Sequence, residues 1–232
     1  MLKIRTRMNK SKAISWLVAC AMLGLLPAAF GNYTESFESG TLSGWNAGTL
    51  NGSLGAVNTV RASEGTYSFG NSFTVPASFS GWTVNTLLDI DPRTFMNAGA
   101  TSLSVDVYSD WANPNGWGVY GNEIKLLLNY EGTWNPVSAT SGGLVNGSFQ
   151  TLTFDLTPHA ATITNPGLSY SSIGFAWFVG TWAGGGDGLA NGTQTFAVDN
   201  IVVTQPVPEP GAVALLGLGL GVLVAFRRRA GC

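Results

Sequence analysis

The sequence predicts an all-β domain, an antiparallel sandwich, between two apolar ends. Two segments, Leu103–Tyr108 and Thr151–Leu156, alternate apolar and polar residues, which is typical of half-buried strands. Ile124–Tyr130 and Ile173–Val179 are more continuously apolar and predict central strands, and Thr195–Val203 closes the domain. Asn-Gly pairs at 51–52, 146–147 and 191–192 mark turns, and no helical period of useful length lies between the two ends.

The N-terminal end has the layout of a secretory signal peptide. Residues 1–12 are basic, Ala13–Leu26 is apolar, and small residues precede a cut after Gly31. The expected partners in export are therefore the Sec translocon and a signal peptidase. An uncleaved N-terminal anchor and a lipoprotein modified at Cys20, in Leu17-Val18-Ala19-Cys20, stay open as alternatives.

The C-terminal end has three ordered parts. Val207, Pro208, Glu209 and Pro210 precede an uncharged run, Gly211–Phe226, and Arg227, Arg228 and Arg229 follow it. Sixteen residues make a helix of about 24 Å, which is short for a bilayer core of about 30 Å but adequate for a tilted or transient span. The arginines stay cytoplasmic by the positive-inside rule, so Pro-Glu-Pro lies extended on the translocated side.

This end resembles the PEP-CTERM sorting signal of Gram-negative bacteria. The resemblance covers residues 206–232 and implies processing by an exosortase, a membrane-embedded transpeptidase that removes the anchor during export. It also implies an association with exopolysaccharide. The predicted location is an inner-membrane precursor and then the cell surface or extracellular matrix. A C-terminal anchor that is never cut is the alternative.

Basic residues and cysteines are concentrated at the two ends of the chain. Residues 32–205 hold three basic residues, Arg61, Arg93 and Lys125, against twelve acidic ones, so nucleic-acid binding is excluded for lack of clustered Lys and Arg. Cys20 and Cys232 both lie outside these residues, so no disulfide holds the domain together. A chain of this length buries enough apolar surface without one.

The predicted domain at 32–205 resembles the jelly-roll sandwiches of carbohydrate-binding modules. The resemblance rests on Ser36–Gly40 with Trp45 at the start, on Ser102–Tyr108, and on Val198–Ile201 at the end. It implies that the first and last strands lie close together, where a structural calcium often binds. Glu38 and Asp199 are the expected calcium ligands, with backbone carbonyls completing the site. The alternative is that Glu38 faces solvent and Asp199 accepts turn hydrogen bonds.

This domain offers few groups of residues that could form a catalytic site. His159 is the single histidine and follows a strand in a turn-like context, without a cysteine or a nucleophile elbow nearby. Paired carboxylates are limited to Asp89 with Asp91 and Asp106 with Asp110, and none shows glycosidase character. We therefore expect a protein that is not an enzyme.

The tryptophans are the residues that indicate a binding function, and seven of the eight lie within 32–205. Trp45 and Trp177 are expected in the core. Flat indoles beside amides and carboxylates are typical of sugar sites. The residues predicted to bind a glycan are Trp111, Trp117, Trp134, Asp110, Asn113 and Asn115. The competing interpretation is that these indoles cap the ends of the core.

The sequence thus predicts an exported, exosortase-sorted, non-enzymatic protein of the surface or matrix that binds exopolysaccharide. Two alternatives stay open, a purely structural matrix protein without a ligand and a small glycoside hydrolase or lyase. Exposed aromatic side chains favour binding, buried ones favour a structural role, and two facing carboxylates in a cleft favour an enzyme.

Overall fold

A computed structural model describes residues 32–50, 53–74, 81–111, 120–181 and 193–206. The predicted signal peptide, the Pro-Glu-Pro segment, the helix at 211–226 and the arginine tail lie outside these residues. Within the described ranges, no helix is both long enough and apolar enough to cross a membrane.

The described chain is built almost entirely of strands. One helix, α1 (Ala160–Ile163), has a single turn, and a 3-10 helix covers Pro92–Thr94. The strands are β1 (Tyr33–Glu35), β2 (Asn46–Ala47), β3 (Thr49–Leu50), β4 (Ser53–Leu54), β5 (Ala56–Asn58), β6 (Ser68–Thr74), β7 (Gly81–Ile90), β8 (Ser102–Trp111), β9 (Tyr120–Tyr130), β10 (Thr133–Val137), β11 (Ser148–Asp155), β12 (Ser171–Thr181) and β13 (Thr193–Thr204).

Two antiparallel sheets form the sandwich. The first sheet has the order β11-β8-β13-β6-β5, and β1 also pairs with β13. The second has the order β10-β9-β12-β7-β2, and β3 pairs with β4 as a separate hairpin. The predicted apolar strands β9 and β12 are interior strands of the second sheet, as expected. The first and last strands, β1 and β13, are neighbours, which confirms what the resemblance implied.

The pairing of strands identifies the sandwich as a jelly roll. The eight strands from β6 to β13 pair from the outside inward: β6 with β13, β7 with β12, β8 with β11, and β9 with β10. A chain folded back in this way and distributed over two sheets is the double Greek-key arrangement of that fold. The predicted fold class is therefore confirmed.

The core lies between the sheets because alternate residues of each strand point inward. Val105 of β8, Leu126 of β9 and Phe175 of β12 are fully buried there. Trp45 is also buried, stacks on Phe175 with ring centroids 6.0 Å apart, and donates its Nε1 hydrogen to the Tyr33 hydroxyl at 2.9 Å. Trp177 is buried as well, so both predicted core tryptophans are confirmed.

Candidate functional site

The outer face of the second sheet carries two aromatic side chains beside buried polar ones. Leu126 and Leu128 of β9 point into the core, so Leu127 and Asn129 point outward. Asn129 is in register with Trp134 of β10 on one side and with Ser172 of β12 on the other. Cross-strand partners share a face with Cβ atoms about 5 Å apart. We call the surface formed by Trp134, Asn129, Ser172 and Tyr170 the aromatic face.

Both aromatic side chains of this face are open to solvent. Trp134 is 54% exposed and Tyr170 is 46% exposed. Tyr170 directly precedes β12, where its carbonyl accepts a hydrogen bond from the Glu131 amide at 3.2 Å. Its hydroxyl donates to Ser172 Oγ at 3.3 Å. Because β10 and β12 are separated by one strand, the two aromatic residues lie on lines about 10 Å apart.

The floor between them contains a buried oxygen without a partner. Asn129 is 4% exposed, and within the described part of the chain its Oδ1 accepts no hydrogen bond. Most buried polar atoms in folded proteins have a partner, and one without a partner costs about 1–3 kcal/mol.

A second row of residues continues the floor across the whole sheet. Pro136, Leu127, Gly174, Asp89 and Asn46 are successive register partners on the five strands. A Cβ at Gly174 would lie 2.4 Å from the Leu88 carbonyl oxygen, so this position requires glycine. Asn46 Nδ2 donates to Asp89 Oδ1 at 3.0 Å and ties the far edge of the row together.

The charged groups nearest this face by strand position are mostly acidic. Glu131, at the turn between β9 and β10, accepts hydrogen bonds from the Ser169 hydroxyl and amide, and these lower the pKa of its carboxyl. Asp91 follows β7, and a hydrogen bond from the Arg93 guanidinium lowers its pKa. Both carboxylates are therefore ionised at neutral pH. Arg93 is held by Asp91 at 2.6 Å.

The outer face of the first sheet is organised differently. Asp106 of β8 and Asp199 of β13 are register partners, and Asp199 is fully buried. Ser63 Oγ lies 2.9 Å from Asp106 Oδ2 and 3.0 Å from Asp199 Oδ2. Asp199 Oδ2 also accepts from the Ser63 amide at 2.8 Å, and Thr151 donates to Asp106 Oδ1 at 2.5 Å. We call Asp106, Asp199, Ser63 and Thr151 the carboxylate network.

The predicted residues at the end of β8 lie beside this network. Asp110 accepts a hydrogen bond from the Tyr108 hydroxyl at 3.1 Å and faces the Arg61 guanidinium at 3.7 Å. Arg61 covers the Tyr108 ring at 4.1 Å. Burial raises the pKa of the Tyr108 hydroxyl. Asp110 is thus engaged with side chains of its own domain.

The structure places two of the predicted tryptophans, Trp111 and Trp134, in different sheets. Trp111 ends β8, and its backbone pairs with Gln194 in the first sheet. Trp117, Asn113 and Asn115 lie outside the described residues, as does the Trp111 side chain. Trp134 belongs to the second sheet and pairs with Asn129, nine residues along β9 from the strand end that follows Trp111. Nine residues span about 30 Å, so Trp134 lies toward the other end of the sandwich.

The two predicted calcium ligands both contact the segment from Arg61 to Tyr67. Glu38 Oε1 accepts from the Thr66 amide at 2.9 Å and the Tyr67 amide at 2.8 Å. Asp199 accepts at the other end of the segment, from the Ser63 amide. Within the described ranges no group of three or more His, Cys, Asp and Glu side chains is placed to hold a metal. Calcium binding at Glu38 and Asp199 stays a prediction.

The carboxylates weighed for hydrolysis each have a local partner. Asp89 is bonded to Asn46, Asp91 to Arg93, and Asp106 to Ser63. His159 lies immediately before α1 and makes no side-chain capping bond. The turn-like context expected for it is thus the start of a one-turn helix.

Sequence reasoning included Trp134 but missed Asn129, Ser172 and Tyr170. A signal for Asn129 exists, because the alternation of β9 places it on the face opposite Leu126 and Leu128. Tyr170 and Ser172 alternate in the same way with the inward Ile173. What the sequence lacked was the pairing that places these positions beside Trp134.

The C-terminal sequence contains a known sorting motif. Residues 206–229 match the PEP-CTERM protein-sorting motif. The predicted sorting signal is thereby confirmed. The PEP-CTERM motif implies an exported protein of the cell surface or the extracellular space, with an exosortase as its processing partner. No curated protein matches the chain in sequence.

Several solved structures are similar to the jelly roll. The C-terminal family 22 carbohydrate-binding module of Clostridium thermocellum Xyn10B has 14% identity and a TM-score of 0.46, over 78% of this chain and 97% of that chain. The CBM22-1 xylan-binding domain of Paenibacillus barcinonensis Xyn10C has 14% identity and a TM-score of 0.42, over 78% and 100%. An endo-β-1,4-glucuronan lyase of the fungus Trichoderma reesei has 10% identity and a TM-score of 0.43, over 75% and 95%.

Proposed function

We propose that this PEP-CTERM chain is a non-enzymatic protein of the cell surface or matrix that binds a glycan through its aromatic face. One observation carries the proposal: Trp134 and Tyr170 are both exposed on one outer face, beside the buried Asn129 and Ser172. Of the glycan-binding residues predicted from the sequence, Trp134 belongs to this surface.

The aromatic face has the chemistry that a sugar ring needs. The flat indole and phenol rings offer apolar area to the C–H faces of a pyranose, and neighbouring amide and hydroxyl groups fix the orientation of its hydroxyls. Large aromatic side chains held in the open on a rigid sheet mark an interaction surface. A shallow face of this kind is expected to bind with a dissociation constant of about 1 mM to 1 μM.

The sorting motif supports an extracellular ligand. A PEP-CTERM protein is delivered to the surface or beyond it, and the resemblance stated above associates such proteins with exopolysaccharide production. The proposed ligand is therefore an exopolysaccharide of the bacterium that makes the protein. A structural calcium at Glu38 and Asp199 remains a separate proposal, for which we expect a higher melting temperature in calcium than in excess chelator.

The carboxylates support binding over hydrolysis. A glycosidase needs two carboxyl groups that face one cleft with their oxygens available to the substrate. Here Asp106 and Asp199 adjoin each other but are occupied by Ser63 and Thr151, and Asp91 is occupied by Arg93. This distribution favours a binding protein.

The test replaces Trp134 with alanine in the full chain, purified in detergent, and measures binding to the producer's exopolysaccharide by calorimetry. Because an indole anchor is lost, we expect Trp134→Ala to weaken binding roughly tenfold to a hundredfold, about 1.4–2.7 kcal/mol. The free energy of unfolding should change by less than about 0.5–1 kcal/mol, as for other surface sites.

The matched control is Leu54→Ala, which removes another exposed apolar side chain, on β4. It should leave affinity unchanged. Wild-type affinity in Trp134→Ala would refute the proposed surface. Failure of the wild-type chain to bind any glycan would favour the purely structural matrix protein.

A further inference from the structure

The folded domain ends at the point where the sorting motif begins. The last strand, β13, ends at Thr204, and Gln205 and Pro206 follow it. The match to the PEP-CTERM motif starts at residue 206, and one residue, Val207, separates Pro206 from Pro208. The sequence therefore leaves no linker between the sandwich and the segment that an exosortase is expected to cut.

Gln205 is held by hydrogen bonds of both its main chain and its side chain. Its amide donates to Asn32 Oδ1 at 3.3 Å, and its Nε2 donates to the Phe95 carbonyl at 3.2 Å. Its Oε1 accepts from the Asn97 amide at 2.7 Å. Gln205 is 4% exposed, although chain ends are usually poorly ordered unless contacts hold them. We call Asn32, Phe95, Asn97 and Gln205 the terminal clamp.

The contacts on either side of Gln205 continue this order. The Thr101 amide donates to the Thr204 carbonyl at 3.0 Å. A Cβ at Gly99 would lie 2.9 Å from Pro206 Cγ, so the proline ring packs closely on this glycine. The chain is thus held by the domain up to the first residue of the motif match.

A clamp this close to the cut site limits what a peptidase reaches. Cleavage beside a folded segment follows the population of its open form when opening and closing are fast. Chain ends open locally at a lower free energy than the whole domain, so the end of β13 can detach while the sandwich stays folded. The hydrogen bonds of Gln205 oppose this opening.

We propose that the exosortase processes the chain in a state in which the terminal clamp is open, so that Gln205 sets the rate of processing. The exosortase performs the cleavage, and the domain determines how often its end is accessible. This regulation concerns sorting and is independent of glycan binding.

The test follows the full chain in the producing bacterium by pulse labelling, with an exosortase-deficient strain as the blank and mass spectrometry to identify the product. Gln205→Ala removes two side-chain hydrogen bonds and should speed the loss of the intact form about tenfold. Gln150→Ala is the matched control. Its side chain donates to Ser148 within β11, and the variant should keep the wild-type rate.

A second variant leaves the clamp intact. A flexible Gly-Ser-Gly-Ser insertion between Pro206 and Val207 moves the cut site away from the domain and should speed processing at least as much as Gln205→Ala. Combining the two changes should give no further increase, because the inserted segment is accessible without opening. The same insertion directly after Gly143, where the chain is exposed, should leave the rate unchanged.

Hydrogen exchange of the purified full chain in detergent provides a readout without the enzyme. The Thr101 amide should exchange about tenfold faster in Gln205→Ala, since its acceptor lies on the end that opens. Faster processing with unchanged exchange would assign Gln205 to direct recognition by the exosortase and overturn the proposal. A wild-type rate in Gln205→Ala would overturn the role of Gln205. A wild-type rate in the insertion variant, or no processed wild-type chain, would overturn the whole proposal.

Discussion

The outer faces of the two sheets present similar residue types in opposite states. On the first sheet, Tyr108 points outward but lies under the Arg61 guanidinium, and Asp199 is fully buried with donors on its carboxylate. On the second sheet, Trp134 is 54% exposed, and among the described residues the buried Asn129 oxygen has no partner. Both faces bury polar groups and carry aromatic rings. They differ in whether the protein itself completes the interactions.

This difference predicts that substitutions on the two faces act on different properties. Buried polar atoms that receive their hydrogen bonds from the chain stabilise one conformation, and removing one leaves its partners unpaired. Substitutions on the first face should therefore change the free energy of unfolding, and substitutions on the second should change affinity.

The largest expected effect is that of Asp199→Ala on stability. The substitution leaves the Ser63, Glu64 and Asn200 amides without their acceptor at a buried position. We expect a loss of about 3 kcal/mol in the free energy of unfolding, measured by urea titration. Glycan affinity of the folded chain should remain unchanged.

Asp199→Asn serves as its control, because the amide keeps one acceptor oxygen and should lose less stability. Repeating both titrations with calcium and with chelator tests the predicted metal at the same time. A weakened glycan affinity at wild-type stability would contradict the assignment of this face to the fold.

A smaller effect is expected at Gly174, in the floor of the second face. An added methyl group would lie 2.4 Å from the Leu88 carbonyl oxygen and 2.7 Å from Asp89 Cβ, so the backbones of β7 and β12 must separate. Gly174→Ala should cost about 1–3 kcal/mol in stability. It should also weaken glycan binding severalfold, since the floor shifts beneath the aromatic rings. Calorimetry and thermal melting of the same sample measure both effects, and full affinity would show that the ligand does not extend over this row.

The second exposed ring, Tyr170, is expected to contribute to glycan binding but little to stability. Tyr170→Ala removes the second exposed ring and should weaken glycan binding about fivefold, close to 1 kcal/mol, with little change in stability. Tyr170→Phe keeps the ring and loses only the hydroxyl that contacts Ser172. It should retain most of the affinity. Equal losses in the two variants would assign the contribution to the hydroxyl instead of the ring.

Much of this fold was predictable because strands leave a local signal. Alternation in Leu103–Tyr108 and the apolar run Ile124–Tyr130 gave β8 and β9 before any pairing was known, and the sorting motif is contiguous in sequence. The proposed binding surface was not predictable in the same way. Trp134 and Tyr170 are far apart in the chain and meet only through the order β10-β9-β12, which alternation does not specify. Loop composition favoured Trp111 instead, which lies in the other sheet.

The smallest expected effect is a dependence of stability on acid that arises at Glu131, beside the aromatic face. Hydrogen bonds from Ser169 lower the pKa of Glu131 in the folded state below its unfolded value of about 4.3. The unfolded chain therefore binds the proton more readily, so this contribution is complete above the unfolded pKa and is lost as the pH falls through the folded pKa. Glu131→Gln should be slightly less stable than wild type in urea at pH 7 and equally stable at strongly acidic pH. Ser169→Ala, which removes the hydroxyl donor and keeps the amide donor, should reproduce part of the pH 7 loss. Glycan affinity at pH 7 should rise slightly in Glu131→Gln if the ligand is acidic, and should not change if it is neutral. A stability difference between wild type and Glu131→Gln that is independent of pH would contradict this account of Glu131.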